Sequence, residues 1–239
     1  VRVAVWSGPR NISTALMRAF ENRTDTVVVD EPLYAAYLVR TGIDHPGREA
    51  VIASQPTDIA EAVAALSAPL PPGRRVHYAK HMAHHVARGM DLSWTLGFRN
   101  VLLIRDPVEV VASYVRARET CEPEDIGLPQ QGWLLELWNA RRVDVPILDA
   151  GDFLRGPEAY LRWLCDWLGI PFTARMLSWP PGPRASDGVW APHWYKAVWA
   201  STGFEPPRRR ETTLSEHDAA VAEACRPVYA ALHARRVRM

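Results

Sequence analysis

The chain opens on a short apolar run, passes through a Gly-Pro turn and the polar residues Arg10, Asn11, Ser13 and Thr14, then resumes apolar positions at helical spacing. From Ser13 to Asn22, Leu16, Ala19 and Phe20 share one helix face and Arg18, Glu21 and Asn22 the other, the pattern of a helix packed on a sheet. Val27 to Val29 is a β-branched run of the buried-strand type, ending at Asp30-Glu31-Pro32. Pro32 disfavours helical geometry at Glu31 and favours an extended one, which predicts a carboxylate held at the tip of a strand. Leu33 to Val39 carries Tyr34, Tyr37 and Leu38, whereas Thr41 to Pro56 is rich in Gly, Pro, Asp and His and reads as a loop region. Asp58 to Leu70 predicts a helix capped by Thr57 or Asp58 and stopped by Pro71-Pro72-Gly73.

Arg75 to Lys80 is a third strand, followed at once by His81-Met82-Ala83-His84-His85. Asn100 to Ile104 is a fourth, closing in Arg105-Asp106-Pro107; the helix after it buries Val108, Val111, Ala112 and Val115 and leaves Ser113 off that face, beside Glu109 and Arg116. Val143 to Leu148 is a fifth strand, and Gly156 to Leu168 a helix with Tyr160, Leu161, Leu164 and Leu168 inward, ended at Gly169. Short apolar strands alternating with helices specify βαβ units. The predicted fold is therefore α/β and P-loop-like, three layers with a central parallel sheet of about five strands flanked by helices. Pro180 to Arg210 is irregular and rich in Pro, Gly, Trp and Arg, which reads as a lid or binding loop whose Trp190, Trp194 and Trp199 either stack on a ligand or pack. Ser215 with Asp218 opens a final helix, and its basic tail reads as solvated.

Composition narrows the classes. At 239 residues the chain fits one domain, 1–239, large enough to bury a core without a cofactor to hold it together. With 28 basic and 27 acidic residues the net charge is +1, which gives no general field for nucleic acid or an anionic membrane; any anion site is local. No apolar run reaches the ~20 residues of a membrane span. The first segment is a strand without a cleavage pattern, and three widely spaced cysteines suit a reducing compartment, so the expected location is cytoplasmic. Arginine is the default cation here: Lys80 and Lys196 are the two lysines, either placed for a compact ammonium or there by chance.

A strand that feeds a helix through small and polar residues aims free N–H groups and a positive dipole end at whatever lies above it, an anion seat. The Walker pattern is not met, since the sixth and seventh positions from Gly8 are Ser13 and Thr14 rather than Gly-Lys. The bland alternative is a strand-to-helix connection capped by Ser13 or Thr14. Four features nonetheless fall at the carboxyl edge of one sheet, where α/β ligands bind: the loop at Arg10 to Thr14, Glu31, Lys80 with the histidines, and Arg105. His77 and His81 stand four apart, but no carboxylate or cysteine lies near them in sequence, so no metal site is expected.

On these residues the chain resembles the sulfotransferase family, which moves a sulfuryl group from 3'-phosphoadenosine 5'-phosphosulfate (PAPS) to an acceptor. Pro9-Arg10-Asn11-Ile12-Ser13-Thr14 is similar to the family's P-K-S-G-T-T phosphosulfate loop, with arginine for lysine and Ile12 where many members carry glycine. Arg105 and Ser113, eight apart in IRDPVEVVASY, match its 3'-phosphate motif; LDAGDFLRGPEAYLRWLCDWLGIPF and the stretch Arg184 to Trp194 resemble later family segments, the second a loop that closes over the nucleotide.

The resemblance implies a donor site of Arg10, Asn11, Ile12, Ser13, Thr14, Arg105, Ser113 and Arg184. It also implies catalytic roles among Glu31, Lys80, His81, His84 and His85. Lys80 or Arg10 would meet the leaving 5'-phosphate, and Glu31 or a histidine would take the proton of a small-molecule hydroxyl or amine, without a metal. Thr41 to Pro56 is then a candidate wall of the acceptor pocket. The alternatives are a P-loop kinase-like phosphotransferase and a non-catalytic nucleotide-binding module. All of this requires positions 10, 105 and 113 to gather in one pocket.

Overall fold

Strand residues here alternate between two apolar faces, so the sheet must be covered on both sides. In the computed structural model, which describes residues 1–116, 118, 121–206 and 213–239, five parallel strands form that sheet: β1 (Arg2–Ser7), β2 (Thr26–Asp30), β3 (Val76–Met82), β4 (Arg99–Ile104) and β5 (Ile147–Asp149), in the order β2-β3-β1-β4-β5. The helices between them are α1 (Ser13–Glu21), α2 (Tyr34–Thr41), α3 (Arg48–Ser54), α4 (Ile59–Ser67), α5 (Pro107–Tyr114), α6 (Pro123–Ile126) and α7 (Leu128–Ala140). After β5 come α8 (Ala150–Arg155), α9 (Pro157–Leu168), α10 (Ala191–Trp194), α11 (Lys196–Ala200) and α12 (Glu216–Ala234).

Val3 and Val5 of β1, Tyr78 of β3 and Val101 and Leu103 of β4 pack under α1, α8 and α9. Their neighbours Ala4, Trp6, Ala79, Leu102 and Ile104 pack under α4, α5, α7 and α12. Each fully buried Val or Leu contributes about 1.5–3 kcal/mol, so the two clusters fix the register, since a slip of one residue would exchange the faces. A third cluster, Tyr34, Tyr37, Leu38 and Val51 with Trp190 and Tyr195, ties α2 and α3 to the late irregular segment.

The α/β fold with its five-stranded parallel sheet is as the pattern predicts, with several local differences. β3 runs on to Met82, so His81 is a strand residue. Thr41–Pro56 holds a helix, α3, and the fifth strand is the short Ile147–Asp149. Arg18, expected on the solvent face of α1, is buried. The C-terminal tail is docked rather than solvated: Val237 N donates to Ile147 O at 2.9 Å and Arg236 Nε to Asp152 Oδ2 at 2.6 Å.

Arg18 is covered because the late segment folds back on α1. Its guanidinium pairs with Asp187 and with Glu21, and Trp199 Nε1 donates to Asp187 Oδ2 at 2.9 Å. The segment closes on itself through an antiparallel bridge between Ser178 and Gly203, with Trp179 N donating to Thr202 O at 3.0 Å. Of the expected Pro180–Arg210 lid, residues 207–210 lie outside the described residues. Among the described residues no helix is long and apolar enough to cross a membrane.

Candidate active site

The strand order fixes where a ligand can enter. From β1 the chain leaves through α1 toward β2 at one edge, and from β4 it leaves through α5 toward β5 at the other. The carboxyl ends of the adjacent β1 and β4 are thus the topological switch point, where the diverging connections leave a crevice.

The loop after β1 reaches that crevice under tight local constraint. Gly8 lies against the α6–α7 turn so closely that a Cβ would stand 2.1 Å from Ile126 O, so only glycine fits. Arg10 then takes a left-handed conformation, φ +53°. Asn11 secures the turn, its Nδ2 donating to Leu103 O at 3.0 Å and its Oδ1 accepting from Ile12 N at 2.8 Å. The N-cap of α1 is Ile12, and no side chain caps the helix; neither Ser13 nor Thr14 does. The first-turn amides are left facing the crevice with the positive end of the helix dipole.

From across the switch point β4 and α5 contribute the rest. Arg10 Nε donates to Ser113 Oγ at 2.9 Å, and Arg105 donates through one terminal nitrogen to Arg10 O at 2.8 Å and through Nε to Glu109 Oε2 at 2.9 Å. Positions 10, 105 and 113 therefore share one cluster. Burial, followed by the nearby cations Arg116 and Arg105, lowers the pKa of the Arg10 guanidinium. Like charges held together at the mouth of a sheet raise the affinity of the spot for an anion.

A second cluster stands at the ends of β2 and β3. In parallel register Asp30 lies opposite Lys80, with both side chains on one face. Lys80 is buried, and its Nζ donates to Asp30 Oδ1 at 2.9 Å, Glu31 Oε1 at 2.6 Å and Tyr195 OH at 2.6 Å. An ammonium has three N–H groups, so all are used. Tyr195 OH donates to Asp30 Oδ2 at 2.7 Å and accepts from Trp190 Nε1 at 3.2 Å.

Glu31 is left-handed, φ +43°, rather than extended as Pro32 predicts, because its N–H is held on Lys80 O at 2.9 Å and its carbonyl by Gln55 Nε2 at 3.1 Å. Its Oε2 faces His85 Nε2 at 3.8 Å. Burial raises the Glu31 pKa against the opposing pull of Lys80, and the two carboxylates raise that of Lys80 well above the usual lysine range.

The histidines divide between the two sides of the sheet. His81 points away from Lys80, stacked on Trp6 with ring centroids 4.2 Å apart, and desolvation holds its pKa down to about 3. His85 lies between Tyr34 and Tyr37, at 4.8 and 4.7 Å, and His84 meets Tyr37 edge-on at 5.3 Å. Burial keeps His84 at about 3 and His85 well below the ordinary histidine range, so both are neutral. Arg184 is not brought to the Arg10 cluster: its N–H donates to Asp187 Oδ2 at 2.9 Å and its guanidinium to Pro180 O at 3.4 Å. Asp30 and Tyr195 were not among the expected site residues. The Asp30-Glu31 pair before Pro32 was a usable signal for the first; nothing local marks the second.

Comparison with known proteins adds the following. A family profile described as a sulfotransferase domain matches residues 1–236. Two curated Arabidopsis thaliana relatives, branched-chain-amino-acid aminotransferase-like proteins 2 and 1, are 35% and 38% identical over 95% and 94% of the chain, which spans 40% of the length of each. Among solved structures, a sulfotransferase domain from the curacin biosynthetic pathway superposes with a TM-score of 0.59 at 16% identity, covering 99% of this chain and 98% of that one. A sulfotransferase from Alicyclobacillus acidocaldarius gives 0.54 at 14% identity, covering 100% and 97%.

Proposed function

The chain belongs to the sulfotransferase family, and from that premise we propose that it transfers a sulfuryl group from PAPS to the hydroxyl or amine of a small-molecule acceptor. The observation that carries the donor assignment is the gathering of Arg10, Arg105 and Ser113 at the β1–β4 switch point. A nucleotide with phosphates at both its 3' and 5' positions suits this place. The uncapped first turn of α1 and Arg10 receive the 5' end, and Arg105 with Ser113 the 3'-phosphate.

Glu31 is the general base. A neutral histidine whose conjugate acid has a pKa of about 3, as for His84, is a poor proton acceptor. A buried carboxylate whose pKa is raised is a better one. In the transfer the acceptor oxygen or nitrogen forms a bond to sulfur as the sulfur–oxygen bond to the 5'-phosphate breaks. The acceptor proton passes to Glu31, and the charge left on the phosphate falls to Arg10 and the α1 amides. As in loose phosphoryl transfer, alignment and charge stabilisation do most of the work. Lys80 has no N–H left for a phosphate, so that duty rests with Arg10.

Incubating the full chain with sulfur-labelled PAPS and a panel of phenols, alcohols and amines tests the reading. Label transfer that falls at least ~100-fold in Glu31→Gln supports it. Transfer of a γ-phosphoryl group from ATP with magnesium, or donor binding without turnover on any acceptor, would replace it with one of the two alternatives.

A further inference from the structure

Tyr195 is brought to Lys80 from 115 residues away, on a segment that closes on itself between Ser178 and Gly203. Its phenol closes a ring of bonds: Lys80 donates to Tyr195 and to Asp30, and Tyr195 donates to Asp30. Removing the phenol would leave one N–H of a buried ammonium unpaired and strip Asp30 Oδ2 of its shorter bond, leaving the one from Gly188 N at 3.4 Å, and buried charges resolve such a loss by moving. The group free to follow Lys80 is Glu31, whose Oε1 is its third partner.

We propose that Tyr195, through Lys80 and its own hydroxyl contact to Glu31 Oε1 at 3.4 Å, is a positioning residue for Glu31: the 178–203 segment fixes Oε1 and leaves Oε2, on the His85 side, to take the acceptor proton. This rests on the reading of Glu31 as the base. The base is then assembled from two distant parts of the chain and is competent only with that segment docked. Arg18 with Asp187, and Gly188 N donating to Asp30 Oδ2 at 3.4 Å, hold the same segment down.

The groups that face Glu31 are Asp30 from β2, Lys80 from β3, His85 from the turn after it, Tyr34 from α2 and Tyr195. Lys80 and Tyr195 lower its pKa and Asp30 raises it, so loss of the phenol and loosening of Lys80 both move the carboxyl upward.

The test is Tyr195→Phe in the full chain, with two readouts. In steady-state kinetics with PAPS, kcat is expected to fall about 10- to 100-fold. The KM for PAPS stays unchanged, and the acidic limb of the kcat/KM profile moves to higher pH. The second readout uses lysine labelled with carbon-13 at Cε. The chain has two lysines, buried Lys80 and exposed Lys196, so two resonances appear and the Lys80 one is expected to move in the variant. Asp30→Asn, which removes the anionic partner of the phenol, replaces Tyr195→Phe if that variant does not fold: the Lys80 resonance is again expected to move and kcat to fall, while the acidic limb moves to lower pH because the Asp30 charge raises the Glu31 pKa. A Lys80 resonance that does not move, or one that moves while kcat and the acidic limb stay as in the wild type, overturns the inference. A wild type that transfers no sulfuryl group overturns the function instead, because the lysine readout does not depend on turnover.

Discussion

Arg105→Ala should separate the two phosphates of the donor. Of the five N–H donors of this guanidinium, Nε is engaged by Glu109 and one terminal N–H by Arg10 O, which leaves three for a ligand. Hydrogen bonds to a charged group are worth about 1.5–3 kcal/mol each. The side chain is 29% exposed and shares its charge with Glu109, so one such bond is a fair net value for the site. At 1.4 kcal/mol per factor of ten, Arg105→Ala weakens 3',5'-adenosine bisphosphate by roughly 10- to 140-fold. Adenosine 5'-phosphate, which cannot use the 3' site, should lose much less.

The assay is calorimetry of both nucleotides on the wild type and the variant, repeated at low and high salt because part of the effect is screened. Arg105→Lys keeps the charge and loses the fork, so it should fall between the two. Equal wild-type affinity for the two nucleotides, or a loss in Arg105→Ala that is the same for both, would refute a 3'-phosphate site at Arg105.

Two further outcomes follow from the geometry. Gly8→Ala places a methyl 2.1 Å from Ile126 O, a backbone atom that cannot swing aside; a loss of about 1–3 kcal/mol in urea unfolding is expected, with weakened nucleotide binding as the loop shifts. Stability should also fall as pH drops below about 6.5. His81, buried at about 3, stays neutral while its unfolded counterpart at 6.5 takes up a proton, so the unfolded state binds more protons throughout that window. The contribution of His81 reaches at most about 5 kcal/mol by pH 3. A His81→Phe variant whose urea midpoint kept the wild-type pH dependence would count against this.

The parts of the molecule legible in the sequence are those whose reasons are local. The strand–turn–helix opening, the strand tips at Asp30 and Arg105, and the eight-residue spacing that places Ser113 in the same cluster as Arg105 all follow from short-range pattern. What escaped depends on distant partners. Arg18 shares a helix face with Glu21 and Asn22 and becomes buried only when Asp187 arrives from the late segment. His81 reads as loop until pairing extends β3 past Lys80 and turns its ring onto Trp6.

The α7 helix escaped because it is covered on more than one side. Gln131 spans to Trp6 O and Leu103 O inside the core, so no clean polar stripe marks the helix. Tyr195 carries no local signal at all, and the site it completes becomes visible only in three dimensions.

The closed ends of the 178–203 segment make it an interchangeable cassette. Its two feet meet at one bridge, so lengthening or replacing what lies between them leaves the strands where they are, and loop closure costs only about 0.6 kcal/mol more for each doubling of length. Grafts that keep the tyrosine and the aspartate anchors should therefore leave the Lys80 cluster and the five strands unaltered.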